Sequence, residues 1–264
     1  MRYFVPILYE DDDVLVINKP AGLVVHSDGR TKEPTVVDWI LKYRPEIKGV
    51  GDSHDEYRIQ NIESRRNALN SKFKIPDSVE AALRPGIVHR LDRETSGALI
   101  IAKNNMAFGR LKKQFQAQGV RKTYHAFVYG KVKHDEGLID RPIARSRGNP
   151  VLWSATRGRK GEEREAVTEY RVLSRFEQAG QEFSFLELSP RTGRTHQLRV
   201  HLKAINYPIV SDRLYAPSRE PALGFERLAL HSRNISFILQ DGKRITVEAP
   251  YPDDFEEALK NLAR

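Results

Sequence analysis

Three short clusters in this chain carry side chains that could do chemistry. The first is Gly86-Ile-Val-His-Arg-Leu-Asp-Arg-Glu-Thr-Ser-Gly97, where Asp92 stands between Arg90 and Arg93. A guanidinium beside a carboxylate keeps it ionised and aims its oxygens, which suits a nucleophile or a base. Asp, Thr, Ser and Gly are also ordinary turn formers, so the same acid could simply bond its own backbone two residues on. The second cluster is Arg121-Lys122-Thr123-Tyr124, and the third is Thr192-Gly-Arg-Thr-His-Gln-Leu-Arg199. His89, Asp92, His196 and His201 together are a conceivable ligand set for a metal-dependent hydrolase. Against that, Arg90, Arg93, Arg194 and Arg199 crowd the same motifs and would repel a cation.

The elements around these clusters follow from periodicity and punctuation. Pro85-Gly86 and Thr95-Ser96-Gly97 bracket Asp92 as turns, and the apolar run Ala98–Ala102 has strand length. Asp92 is therefore expected in a tight connection between two strands. Val14–Asn18 and Leu23–His26 are expected as short strands, separated by the turn Lys19-Pro20-Ala21-Gly22. Thr35 is expected to cap a helix ending at Tyr43 before Pro45, with Val36, Val37, Ile40 and Leu41 on one face. A second helix should start at Asn104 or Asn105 and run to about Gln118, burying Phe108, Leu111 and Phe115.

Lys122–Val132 has strand composition, with Tyr124, Ala126 and Val128 on one face. Ala166–Phe176 and Glu182–Ser189 are strands, and a helix from near Thr195 would bury Leu198, Leu202 and Ile205 while Arg199 turns toward a neighbouring loop. Ala229–Leu239 and Lys243–Ala249 form a hairpin about Asp241-Gly242. A last helix, Asp253–Leu262, buries Phe255, Leu259 and Leu262. Strands outnumber helices, so the expected class is α+β with a mixed, largely antiparallel sheet and flanking helices.

The 264 residues include no cysteine, which excludes disulfides, thiolate nucleophiles and Cys-based zinc sites. Met1–Asp13 shows no basic-then-apolar leader, and no uncharged run approaches the roughly 20 residues that span a bilayer. A cytoplasmic protein without membrane contact is expected. With 44 basic residues against 35 acidic, the net charge of +9 favours a polyanionic partner such as nucleic acid. Ile143–Lys160 holds Arg145, Arg147, Arg157, Arg159 and Lys160 with no acid, plus the flat ring of Trp153. That composition fits phosphate contact with base stacking, and equally a solvated hairpin rim. Gly49–Leu83 has little periodicity and is expected as a long contact loop.

His89-Arg-Leu-Asp-Arg-Glu-Thr-Ser-Gly97 resembles the HRLDxxTSG motif of the RluA-type pseudouridine synthases. Lys122-Thr123-Tyr124 is similar to that family's KxY motif, and Thr192–His201 to its TGRxHQxRVH motif. Tyr9-Glu10-Asp11 through Asn18-Lys19-Pro20-Ala21-Gly22 resembles its N-terminal strands, and all four occur in the family's order over nearly the whole chain.

The resemblance implies the pseudouridine synthase fold and the isomerisation of uridine to pseudouridine in structured RNA, ribosomal (23S) or transfer, without cofactor or metal. It implies Asp92 as catalytic carboxylate, Arg199 as its ionic partner and Tyr124 as the ring stacked on a flipped-out target base. Flipping costs a few kcal/mol, of which stacking returns roughly 1–3 kcal/mol. Arg90 is expected to fill the vacated space or hold the neighbouring phosphate, and Leu230 to pack under the base. His89, His196 and His201 are expected as scaffolding, and Gly97 and Gly193 as backbone requirements.

The chain departs from the family in two places. The S4 RNA-binding module that often precedes the catalytic strands is not expected, because strands begin close to Met1. RNA affinity would then come from the single catalytic domain's own basic surface, with a monomer as the default state. Ser211-Asp212 stands where many members have Gly-Asp. A catalytically silent RNA-binding module is the competing reading.

Overall fold

The computed structural model describes residues 3–27, 33–51, 84–149, 152–156, 159–260 and 262. The strands are β1 (Ile7–Glu10), β2 (Val14–Lys19), β3 (Ser96–Ala102), β4 (Arg121–Tyr129), β5 (Glu136–Asp140), β6 (Ile143–Ser146), β7 (Trp153–Ser154), β8 (Arg159–Arg164), β9 (Val167–Gln178), β10 (Gln181–Pro190), β11 (Leu230–Ile238) and β12 (Arg244–Glu248). The α-helices among the described residues are α1 (Val36–Tyr43), α2 (Asn105–Gln116), α3 (Gln197–Ala204) and α4 (Asp253–Lys260).

Nine strands form one sheet in the order β1-β2-β3-β11-β4-β10-β9-β5, with β12 paired to β11. Among the described strands only β3 and β11 run parallel, which makes the class α+β with a mixed, mostly antiparallel sheet. β6, β7 and β8 form a separate three-stranded sheet.

Local chemistry explains the helix boundaries. Thr35 and Asp38 form a reciprocal capping box at α1, and the Asn104 side chain accepts the Ala107 N–H at α2. α4 lays Phe255 against Phe127 and Phe225, at ring separations of 5.5 and 5.1 Å. Leu198 and Leu202 of α3 are buried, each contributing about 1.5–3 kcal/mol by removal from water.

Three expectations are corrected. Leu23–His26 is not a strand: Val24 makes one isolated bridge to Thr35, and Lys19 draws the chain into a turn by bonding the Leu23 carbonyl. Asp92 is not flanked by two strands, because the preceding segment meets β3 through the isolated Ile87–Ile101 bridge, the Gly86 carbonyl and the His89 side chain without forming a strand. The terminal helix ends at Lys260 rather than Leu262, although Leu259 and Leu262 still pack on the core. Of the 49–83 stretch, residues 52–83 lie outside the described residues.

Register brings the sequence clusters together. Tyr124 on β4 pairs with Leu188 near the end of β10 and with Ser232 near the start of β11. Ser232 in turn pairs with Gly97 at the start of β3. The loop entering β3 and the loop leaving β10 therefore both emerge beside Tyr124. Gly97 permits this crossing: its φ is +110°, and a Cβ there would lie 2.2 Å from the Ser232 carbonyl oxygen. Gly193 has no such constraint, since its Cβ position would meet Lys122 Nζ at an ordinary 3.8 Å.

Candidate active site

The two loops enclose a cleft of about 470 Å³, a volume suited to one small ligand or nucleoside. Arg90, Asp92, Lys122, Tyr124, His196, Arg199 and Leu230 all line it.

Asp92 does not use its side chain to close its own turn. The Thr95 N–H donates to the Asp92 backbone carbonyl at 3.1 Å. Asp11 shows the alternative, since its carboxylate accepts the N–H groups of Asp13 and Val14. The Asp92 side chain is 19% exposed, and its ionic partner is Arg199, with Nη1 lying 3.5 Å from Oδ2. The flanking arginines do not hold it. Arg93 turns outward to Glu33 and Glu94, and Arg90 is exposed at the cleft wall.

Arg199 is itself fixed from below. Its Nε and Nη2 donate to the two oxygens of buried Asp212 at 2.9 and 2.7 Å. Oδ1 of Asp212 also accepts the N–H groups of Leu214 and Tyr215. Burial works against the Arg199 cation, and Asp212, followed by Asp92, more than compensates, so its pKa is raised. In the sequence Asp212 is marked only by the departure from Gly-Asp at Ser211-Asp212. Ser211 before it has φ +57°, the left-handed conformation that explains why glycine suits the position.

Tyr124 is 8% exposed, with its pKa raised by burial and next by the Asp92 carboxylate, so it stands as a neutral phenol. Leu230 begins β11 opposite Ala126 and presents an apolar wall to the same cleft. Lys122, two residues before Tyr124 on β4, also lines the cleft, and burial lowers its pKa. Thr95 lines it too, and its hydroxyl is buried without a hydrogen-bond partner among the described residues.

Residues that the sequence reading passed over hold the loops in place. Lys19 is wholly buried, and its Nζ donates to the carbonyls of Pro20, Leu23 and Arg93 at 2.8, 2.8 and 3.0 Å. Burial pulls its pKa down to about 7, with Asp92 opposing the shift. Gln197 anchors the other loop: its Oε1 accepts from Thr192 Oγ1 and the Arg194 N–H, and its Nε2 donates to the Val167 carbonyl. Both stand inside motifs that match the family, but nothing in those motifs says which backbone groups they hold.

The four residues considered for a metal do not form a ligand set. His89 Nε2 accepts the Ile100 N–H at 3.1 Å. His201 uses both ring nitrogens, on Thr168 Oγ1 and the Arg141 carbonyl. These two are scaffolding as expected. His196 lines the cleft, as His89 also does, but its Nδ1 meets the Tyr215 hydroxyl rather than the backbone of the sheet.

Arg145, Arg147 and Trp153 are not in the cleft. Arg145 on β6 stacks its guanidinium over the Trp153 ring of β7 at 4.2 Å, and Arg147 is exposed just beyond β6. The Trp153 N–H donates to the Tyr215 hydroxyl at 3.2 Å. Tyr215 also packs its ring against the Arg199 guanidinium, and with Val200 of α3 it shares a buried cluster with Ile143 of the small sheet. Arg157 lies outside the described residues.

A family model described as RNA pseudouridylate synthase matches residues 13–204. An uncharacterised RNA pseudouridine synthase of Bacillus subtilis is 36% identical over 98% of this chain and 73% of its own length. The ribosomal large subunit pseudouridine synthase D of Zymomonas mobilis is 32% identical over 97% of this chain and 72% of its own. The solved structure of human RNA pseudouridylate synthase domain containing 1 superposes with a TM-score of 0.68 at 25% identity, covering 94% of this chain and 84% of that one.

Proposed function

Because the chain belongs to the RNA pseudouridylate synthase family and is an isomerase, we propose that Asp92 is its catalytic carboxylate, aimed by Arg199 at a uridine held against Tyr124. The N1–C1′ bond of the uridine breaks, the uracil turns, a C5–C1′ bond forms, the C5 proton leaves and N1 takes up a proton, so atoms balance without a second reactant. The observation that carries this reading is the state of Asp92. Its carboxylate stands at the cleft wall with one ionic contact among the described residues, to a guanidinium whose other nitrogens Asp212 already holds.

Tyr124 supplies the stacking ring, with Leu230 as the apolar surface packing under the base, and a base taken out of its helix needs such a platform. Arg90, exposed at the cleft mouth, takes the flanking phosphate or the space that the base leaves. Arg145 and Trp153 with Arg147, and Arg157 beyond the described residues, form the wider RNA contact. The reading takes the chain as one catalytic unit acting as a monomer.

Structured RNA is the substrate class. Relatives named ribosomal large subunit pseudouridine synthase D make large-subunit ribosomal RNA the first candidate, with transfer RNA the second. Pseudouridine mapping in cells with and without the gene identifies the target. Asp92→Asn protein should then bind that RNA and form no pseudouridine, and normal turnover by it overturns the assignment. Affinity should fall steeply with salt, as several phosphate contacts require.

A further inference from the structure

His196 has features that a scaffolding histidine does not need. It immediately precedes α3 with a left-handed backbone, φ +55°. Such a conformation in a non-glycine residue is kept only where its surroundings over-determine it. Its Nδ1 lies 2.9 Å from the Tyr215 hydroxyl, with the two rings edge to face. That hydroxyl oxygen already accepts the Trp153 N–H. Among the described residues Nδ1 is the one acceptor left for the hydroxyl proton, so Tyr215 donates and Nδ1 accepts. An imidazole that accepts at Nδ1 carries its proton on Nε2. Burial lowers the pKa of the ring against the pull of Asp92, which keeps it neutral at pH 7.

With Nδ1 turned to Tyr215, Nε2 occupies the opposite side of the ring. His196 lines the cleft with Asp92, Tyr124 and Leu230, and no described residue is hydrogen-bonded to Nε2. We infer that His196 presents an uncharged Nε2–H to a carbonyl oxygen of the bound uracil, and that Tyr215 is the positioning residue that fixes this tautomer. A neutral donor suits a neutral carbonyl here, because Asp92 would repel a phosphate oxygen at the same place. Trp153 holds Tyr215, so the tautomer is tied in turn to the small basic sheet. The substrate contact rests on the cleft taking a uridine, whereas the tautomer does not.

Two arms test this. In the full-length protein labelled with 15N, imidazole 1H–15N correlations at neutral pH should show His196 as the Nε2–H tautomer, assigned by loss of its signals in His196→Gln. Tyr215→Phe should convert it to a mixture of tautomers. An Nδ1–H ring in the wild-type protein overturns the inference. In single-turnover kinetics on the mapped RNA, His196→Phe should lose on the order of tenfold to a hundredfold in rate, the range expected when a buried acceptor loses its donor. RNA affinity should change far less. His196→Gln, whose amide still donates, should recover part of that loss. Equal rates for wild type and His196→Phe overturn the substrate contact and leave the Asp92 assignment standing. Failure of the wild-type protein to form pseudouridine in any RNA overturns the assignment and the contact together, with the tautomer decided by its own arm.

Discussion

Arg199 is committed to Asp212 before it is available to Asp92. Two of its nitrogens are held at 2.9 and 2.7 Å by the buried carboxylate of Asp212, and only Nη1 extends to Asp92, at 3.5 Å. The geometry therefore makes Asp212 the residue that orients the guanidinium, and through it the proposed catalytic oxygen. Asp212→Asn removes the charge and puts an amide N–H where the fork needs an acceptor. It should lower turnover at least about tenfold and cost about 3 kcal/mol, toward the low end for a broken buried pair because Asp92 still faces Arg199. Single-turnover rates and urea midpoints check both.

Lys19 bonds three carbonyls, those of Pro20, Leu23 and Arg93 beside Asp92, and the last of these also accepts the Gly22 N–H. Lys19→Met should leave the Pro20 and Leu23 carbonyls unpaired in a dry site and destabilise the fold by about 2–4 kcal/mol. The loss should appear in chemical denaturation, accompanied by faster hydrogen exchange across 91–97.

Acid should weaken the protein through two buried histidines. Burial holds both His89 and His231 down to about 3, below the ordinary value of about 6.5 for an unfolded chain. Between those values the unfolded chain binds protons that the folded one does not, so stability falls as pH drops from 6.5 toward 3. From pH 7 to pH 5 the expected loss is on the order of 2 kcal/mol for each histidine. Urea midpoints measured at both pH values should show it, and the slope should be shallower in His231→Gln.

Ser211 offers a comparison of backbone against side chain. Its φ of +57° favours glycine, while its Oγ donates to the Phe225 carbonyl at 2.7 Å. Ser211→Gly gains the first and loses the second, so stability should change by less than about 1 kcal/mol. Ser211→Val loses both and should be clearly destabilised, with Arg199 displaced through its neighbour Asp212. Thermal midpoints and turnover of the two variants check the contrast.

Much of the fold was legible locally. The caps at Thr35 and Asn104, the Asp241-Gly242 hairpin and the apolar stripe of α3 are short-range signals, and each element formed close to its expected bounds. Leu23–His26 had strand composition, but a buried lysine bonding its first carbonyl outweighed that propensity. The three-stranded sheet was expected only as basic, turn-rich loops, because its strands are short and their pairing is set by the neighbouring Tyr215 and α3.

For the site, Asp92 stood out by its residue type and setting, while Tyr124, Arg199, Arg90 and Leu230 joined it as one constellation through the resemblance of their local motifs to the RluA-type pseudouridine synthases. Tertiary structure alone decided their support. Asp212 behind Arg199, Lys19 beneath the Asp92 loop and Tyr215 beside His196 lie far from their partners in sequence or in unremarkable local contexts. A carboxylate, an ammonium or a phenol acquires such a role only when folding removes water from around it and leaves one partner within reach.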